Sequence, residues 1–313
     1  MIIRSKFFYY LLAVINFCIP GCLCRTQKTK ILKKARLRPD YYSILERVDY
    51  YNKICTKFTL SSPEFVKNFI FKSKKWGSTY FFDTLEIIKY FPLEQKFRYY
   101  FGDINHTLPQ ATIVKARPIN KANENSILLK LNKYRHFIFV DDHLPFSQKE
   151  NKLIFYSAST YLPHRIDFMQ KFFDHEMCIC RCFKKNPRIP DQWVAPKIKI
   201  EDHLKYKFIL SLEGADVASN LKWIMSSNSL AVMPKPSCET WFMEGKLIPN
   251  YHYVLIKDDY SDVIERLNYY IDNPEEAEKI IKNAHDWVNQ FKDQEKEKII
   301  SLLVVQKYFD YLA

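Results

Sequence analysis

The chain has very little glycine, 5 residues in 313. With so few, a glycine at a strand-to-helix junction, as at Gly214, is expected to have a role there. Acidic residues are missing altogether from residues 1–39, which carry nine Lys or Arg: Arg4, Lys6, Arg25, Lys28, Lys30, Lys33, Lys34, Arg36 and Arg38. The formal net charge is +13, so the rest of the chain is close to balanced. This describes a basic arm at one end and argues against a general nucleic-acid-binding surface, for which no groove-reading motif is present either. No CxxC pair occurs among Cys18, Cys22, Cys24, Cys55, Cys178, Cys180, Cys182 and Cys238, and their spacing is not that of a disulfide framework. Reduced thiols are expected. His175-x-x-Cys178-x-Cys180-x-Cys182 is the nearest approach to a metal set. Strand alternation would put its three thiols on one face without the tetrahedral convergence zinc needs, so no metal is expected. Internal repeats and low-complexity segments are absent.

What is present suits a folded α/β protein. Hydrophobic residues make up 47% and aromatics 16%, and the length allows two domains of ordinary size. Residues 7–24 carry no charge. That run is near the lower limit of about 17–25 residues for a spanning helix, and Pro20-Gly21 interrupts its end. Three readings fit. A cleaved signal lacks a clear small-x-small site, and a single span would be short. A segment lying in the membrane interface, held by Phe, Tyr and Leu with basic residues facing anionic lipid, fits best.

Residues 41–51, 63–71 and 83–90 read as helices. From residue 96 short apolar runs at 97–101, 111–114, 136–140 and 153–157 read as strands, with helices at 126–132 and 164–173. Pro187, Pro190 and Pro196 punctuate a segment read as an interdomain linker. Beyond it, strands at 206–212, 230–233 and 253–256 alternate with helices at 216–226, 239–243 and 261–271. Asn273-Pro274-Glu275-Glu276 is a helix start, with a cap, proline at the first position and acids in the first turn. That helix is read to residue 291, and a last one covers 294–311. The alternation implies a parallel sheet covered on both faces.

The most informative stretch is Ser211-Leu212-Glu213-Gly214-Ala215-Asp216-Val217-Ala218-Ser219-Asn220-Leu221-Lys222-Trp223. It joins a buried strand to a segment with Val217, Leu221, Ile224 and Met225 at helical spacing. Strand, glycine and helix start together make an anion-binding turn, because unpaired amides at a helix end point at the anion. An ordinary strand-to-helix turn accounts for the pattern equally well.

With Lys205-Tyr206-Lys207-Phe208, Ser226-Ser227-Asn228-Ser229, Glu239-Thr240-Trp241, Leu247-Ile248-Pro249-Asn250-Tyr251-His252-Tyr253 and Asp259-Tyr260-Ser261-Asp262, this stretch resembles the donor-binding half of the family 90 glycosyltransferases. That family holds fungal capsule-associated enzymes, animal protein O-glucosyltransferases and bacterial lipopolysaccharide glycosyltransferases. A weaker likeness runs through Gly102-Asp103, Ile113-Val114-Lys115-Ala116-Arg117-Pro118-Ile119, Arg135-His136-Phe137 and Pro145-Phe146, so residues 96–292 are covered. The wording is most similar to the bacterial, lipopolysaccharide-type branch. The resemblance implies an α/β fold of GT-B type, two Rossmann-like domains facing a cleft, preceded here by the membrane-associated arm. It also implies inversion at the anomeric carbon without a metal. The expected divisions are the arm at 1–39, an acceptor-side domain at 40–195, a nucleotide-sugar-binding domain at 196–292 and a terminal helix at 293–313.

Such a transfer needs a carboxylate to take the acceptor proton and donors to steady the leaving diphosphate. By the resemblance Asp103 is the base, with Asp141 and Asp142 as rivals. Glu213, Gly214, Ala215, Asp216, Val217 and Asn220 provide the diphosphate turn, and Lys222 adds charge. Lys115 and Arg117 reach the cleft from the first domain, Glu239 orients the ribose, and His252 and Tyr253 buttress the sheet edge. One departure stands out. Where family members carry Arg-Gly after the strand at 153–155, this chain has Tyr156-Ser157, while Arg165 matches a later basic position. An Arg-to-Tyr change removes a fixed charge and a forked donor.

The implied activity is transfer of a hexose from a nucleotide sugar, UDP-glucose or UDP-galactose, to a lipid-linked glycan such as lipopolysaccharide core or a capsule precursor. The implied place is the cytoplasmic face of the inner membrane, with no cofactor, no metal and no nucleic-acid partner. A secreted or lumenal protein O-glucosyltransferase and a non-catalytic nucleotide- or glycan-binding relative are the alternatives.

Overall fold

The computed structural model describes residues 6–71, 77–119, 122–158 and 161–313; Arg4 of the basic arm and Ser159 and Thr160 lie outside the described residues. The chain forms two compact units. One takes Met1–Ile138, Ser237–Gly245 and Phe291–Ala313, the other Phe139–Pro236 and Lys246–Gln290. The division thus falls at residues 138/139, not at 195/196, and the terminal helix belongs to the first unit. The proline-punctuated segment is no linker. Ile189 and Trp193 pack into the core of the second unit, and Asp191–Trp193 is a short 3-10 turn.

The second unit is built on five parallel strands: β1 Glu150–Ser157, β2 Cys178–Cys182, β3 Tyr206–Leu210, β4 Leu230–Met233 and β5 Val254–Leu255. Their spatial order is β5-β4-β3-β1-β2. The chain lays β2 on one side of β1, then returns to the other side for β3, β4 and β5. The direction of winding therefore reverses between β1 and β3, the switch point of a doubly wound sheet. All four residues of β4 and four of the five in β3 are buried, as expected where helices cover both faces. Phe168 and Phe172 of helix Pro163–Phe172, and Val263, Leu267 and Tyr270 of helix Val263–Asp272, share one core with Leu153, Phe155, Phe208, Leu210, Leu230 and Val232. Cys178, Cys180 and Cys182 face that core from alternate positions of β2. They act there as small apolar groups, and the contact with Cys178, with burial, pushes the Cys180 thiol up from its ordinary range. His175 turns its Nδ1 to its own loop, accepting from Met177 N at 3.2 Å.

The first unit contains helices Lys6–Cys18, Gly21–Ala35, Tyr41–Tyr51, Ser78–Ile88 and Gln294–Tyr311, and among its described residues only two-stranded sheets. Thr112–Val114 runs parallel to Ser126–Leu128, and Ala116–Pro118 antiparallel to Cys238–Thr240. The helices read at 126–132 and 239–243 are thus strands, and residues 63–71 give Glu64–Phe65 and a 3-10 turn. Apolar runs of four to eight residues carry no period that separates the two structures. Helix Gln294–Tyr311 is buried on most sides. Its Glu297 accepts Trp241 Nε1 at 2.7 Å and Lys130 Nζ at 2.6 Å, and pairs with Arg47 Nη2 at 2.6 Å. Two hydrogen bonds and one ion pair on this buried carboxylate replace the water it has lost.

Candidate active site

Parallel strands all end at the same edge of their sheet. At a switch point the loops that follow two neighbouring strands turn to opposite faces and leave a crevice between them. Here those loops follow β1 and β3. The loop after β1 leads into helix Pro163–Phe172, and proline at its first position fixes where the helix begins. His164 and Arg165 consequently lie in its first turn. Arg165 donates from Nη2 to Leu212 O at 2.6 Å, from Nε to Glu213 O at 3.0 Å and from Nη1 to Ser157 Oγ at 2.8 Å. One guanidinium fork thus laces the end of β1 to the loop after β3. His164 adds Nε2 to Glu213 O at 2.9 Å, and since a carbonyl only accepts, that nitrogen carries a proton. Tyr260 O–H in turn donates to His164 O at 3.0 Å. Tyr260 does so from the left-handed region (φ 62°), a conformation that costs a non-glycine residue about 1–3 kcal/mol and persists only where its surroundings fix it.

The far end of the 211–220 loop is tied as well. Asn220 Nδ2 donates to Leu210 O at 2.9 Å, and Ser211 Oγ to Asn220 Oδ1 at 3.1 Å. Asp216 is buried and accepts from Val217 N at 2.7 Å, and Val217 is buried beside it. What the loop presents outward is Ala215, exposed, with Glu213 and Gly214 half-buried. Gly214 lies outside the left-handed region. A methyl group there would meet only Val217 O at 3.6 Å and Arg165 Nη2 at 3.8 Å, which are ordinary contacts. The fold itself does not require a glycine at this position.

Three expectations are corrected here. The helix begins at Leu221, not 216, and has five residues, so no long helix end is aimed at the loop. Lys222 is fully buried, with 0% of its surface exposed, and adds no charge to the loop face. Asn220 is engaged with the end of β3.

Asp103, Lys115, Arg117 and Glu239 lie in the first unit. Gly102 has φ 142°, a conformation open to glycine, and the turn it makes leaves the Asp103 side chain 42% exposed. The buried Lys115 Nζ lies 2.6 Å from Asp103 Oδ1, so Asp103 is also a counter-ion of this buried lysine. Arg117 and Glu239 are buried together. Arg117 Nε donates to Glu239 Oε1 at 2.8 Å, Nη2 to Tyr50 O at 2.7 Å, and Nη1 to Ser126 O at 3.2 Å. Tyr50 O–H holds the second carboxylate oxygen. A Cβ on Gly245 would stand 2.7 Å from that oxygen, so glycine admits the carboxylate against the backbone. This arrangement is internal cross-bracing, and it corrects the ribose role for Glu239 and the diphosphate role for Arg117. Glu239→Ala is expected to lower the unfolding free energy by about 3–5 kcal/mol, as breaking a buried pair does, with UDP affinity unchanged. Urea denaturation and calorimetric UDP titration read the two quantities separately.

Asp142 is likewise structural. It accepts from Lys149 Nζ at 2.8 Å and Asn228 N at 2.9 Å, residues that precede β1 and β4, at the sheet edge opposite the crevice. Asp141 is exposed beside His143 at 3.6 Å. His252 Nδ1 accepts from Ile248 N at 2.9 Å, and burial lowers its pKa. Sequence reasoning missed His164, Ser157 and Tyr260 as parts of the loop clamp. Pro163 was the available signal, since a proline-started helix after a strand puts its next two residues at the carboxyl edge.

Residues 139–309 match the family model described as Glycosyl transferase family 90, a span that begins where the second unit begins. The chain belongs to that family and is a glycosyltransferase. It is 39% identical over 307 residues to O-glucosyltransferase LpsA of Dichelobacter nodosus, covering 97% of this chain and 95% of that protein. Protein O-glucosyltransferase 3 of Homo sapiens is 31% identical over 108 residues, 34% of this chain and 21% of the human protein. Uncharacterized protein 179R of Invertebrate iridescent virus 6 is 36% identical over 100 residues, 29% of this chain and 8% of the viral protein.

Proposed function

We propose that the protein transfers glucose from UDP-glucose, with inversion, to a lipid-linked glycan, and that the donor binds in the crevice between β1 and β3. The observation that carries the reading is the Arg165 fork, which joins the loops on both sides of that crevice. Glucose is favoured as the sugar because the relative aligned over nearly the whole chain is named an O-glucosyltransferase. The doubly wound unit is the counterpart of the nucleotide-binding half of a GT-B enzyme. Its backbone amides around 213–215 meet the diphosphate, and no lysine or long helix end is needed for that. Asp103 takes the acceptor proton. A membrane-borne acceptor is supported by the basic, apolar arm and sets the enzyme at the cytoplasmic face of the inner membrane.

The Tyr156-Ser157 departure is consistent with retained activity. Ser157 is buried and its hydroxyl accepts from Arg165, so the second basic position of the family is held in place by the residue that replaces the glycine.

Gly214→Ala tests the location of the donor. Because the added methyl meets no short contact, stability is expected to stay within about 0.5 kcal/mol, as at sites free of strain or packing loss. UDP affinity is expected to fall about tenfold, the effect of one lost amide contact of 1–1.5 kcal/mol. Calorimetric titration with unchanged UDP affinity in the folded variant would remove the donor from this loop.

A further inference from the structure

We infer that the helical hairpin at residues 6–35 docks the enzyme on a bilayer by burying the outward side of its first helix within one leaflet, against anionic lipid headgroups. The inference deepens the membrane-borne acceptor proposed above but rests on the hairpin alone. Vesicle binding therefore tests it without donor or acceptor.

Helix Lys6–Cys18 is apolar nearly all round, and only one stripe of it is covered. On that stripe Tyr9 is buried and donates to Asp83 Oδ1 at 2.8 Å, Tyr10 and Ser78 share a hydrogen bond of 2.6 Å, and Lys89 donates to Asn16 O. These contacts make the helix part of the first unit, since its loss would strip a partner from the buried Asp83. That disfavours the cleaved-signal reading. The outward side shows Phe7, Leu11, Leu12, Val14, Ile15 and Phe17, with Phe7 70% and Phe17 55% exposed. The apolar surface continues through Phe82, whose ring lies 6.4 Å from Phe17, to Phe71 at 6.3 Å from Phe82.

Length decides against a span. Thirteen residues reach about 20 Å at 1.5 Å per residue, short of the roughly 30 Å hydrocarbon core. At Pro20 the chain bends by 96° into helix Gly21–Ala35, which carries Arg25, Lys28, Lys30, Lys33 and Lys34. Burying such charges in hydrocarbon is costly, so the second helix stays among the headgroups. Charge then selects the occupant. Residues 1–39 hold nine basic groups and no acid, and each basic residue near an anionic surface contributes about 1 kcal/mol. A second copy of the chain would set one basic arm against another, an unfavourable pairing.

The test uses the full-length protein and vesicles of phosphatidylcholine with or without phosphatidylglycerol, read by co-sedimentation. Binding to the anionic vesicles is expected to be at least about tenfold stronger, equivalent to one or two basic contacts. Both Leu11→Ser/Leu12→Ser/Ile15→Ser and Lys30→Glu/Lys33→Glu are expected to lose that binding, with thermal unfolding and UDP affinity unchanged. Equal or absent binding to the two vesicle types overturns the inference. So does a wild-type dimer in light scattering that the serine variant turns into a monomer, because the face would then be covered by a second copy.

Discussion

Arg165→Ala is expected to lower kcat/KM for the donor by about 100-fold, the scale of loss when positioned groups shift by about an ångström. The side chain holds two successive carbonyls of the loop after β3 and the hydroxyl that ends β1. Without it, His164 still holds Glu213 O from the helix side, through one hydrogen bond. Arg165→Lys is expected to recover little of the loss. An ammonium supplies charge from one point, whereas the fork reaches three acceptors in fixed directions. Steady-state UDP release with both variants separates geometry from charge, and full recovery with lysine would show that charge alone matters at this position.

Asp103→Asn is expected to reduce kcat by about 10²–10⁴-fold, the usual contribution of a positioned general base. The substitution keeps the shape of the side chain but removes both the proton acceptor and a counter-ion of buried Lys115. Stability will therefore fall too, and activity must be compared at temperatures where the variant is folded. UDP affinity serves as the control. Asp103 belongs to a different compact unit from the 211–220 loop, so nucleotide binding is expected to persist when transfer is lost. Undiminished transfer in the folded variant would rule out the base assignment.

These predictions depend on burial and pairing that the sequence shows only in part. Strongly patterned elements were legible. The strand at 230–233, the helix at 41–51 and the proline-started helix Pro274–Asn289 fall where period and capping residues put them. Even there Asn273 does not cap as expected, since its amide donates back to Tyr269 O. The helix read at 216–226 failed for an instructive reason. Val217 stands at helical spacing from Leu221 because both are buried, but Val217 is buried from a loop. Period reports burial, and here burial was mistaken for helix. Charge misled in the same way. Lys222 and Arg117 look like anion-binding groups in a list of residues, yet both are buried, and Arg117 meets Glu239, 122 positions away. Partners at that separation leave no local trace. The family wording of 213–223 survived these errors because it reflects a whole arrangement of loop and strand.

Donor-dependent transfer from the β1/β3 crevice is open to direct assay. The most direct measurement incubates purified protein with UDP-glucose, UDP-galactose and their N-acetyl forms, and records UDP release with and without membrane glycolipid extract. Release from UDP-glucose is expected to rise when glycolipid is added and to be largely lost in Arg165→Ala. UDP binding without release from any donor, in the presence of the extract, would contradict transfer from this crevice.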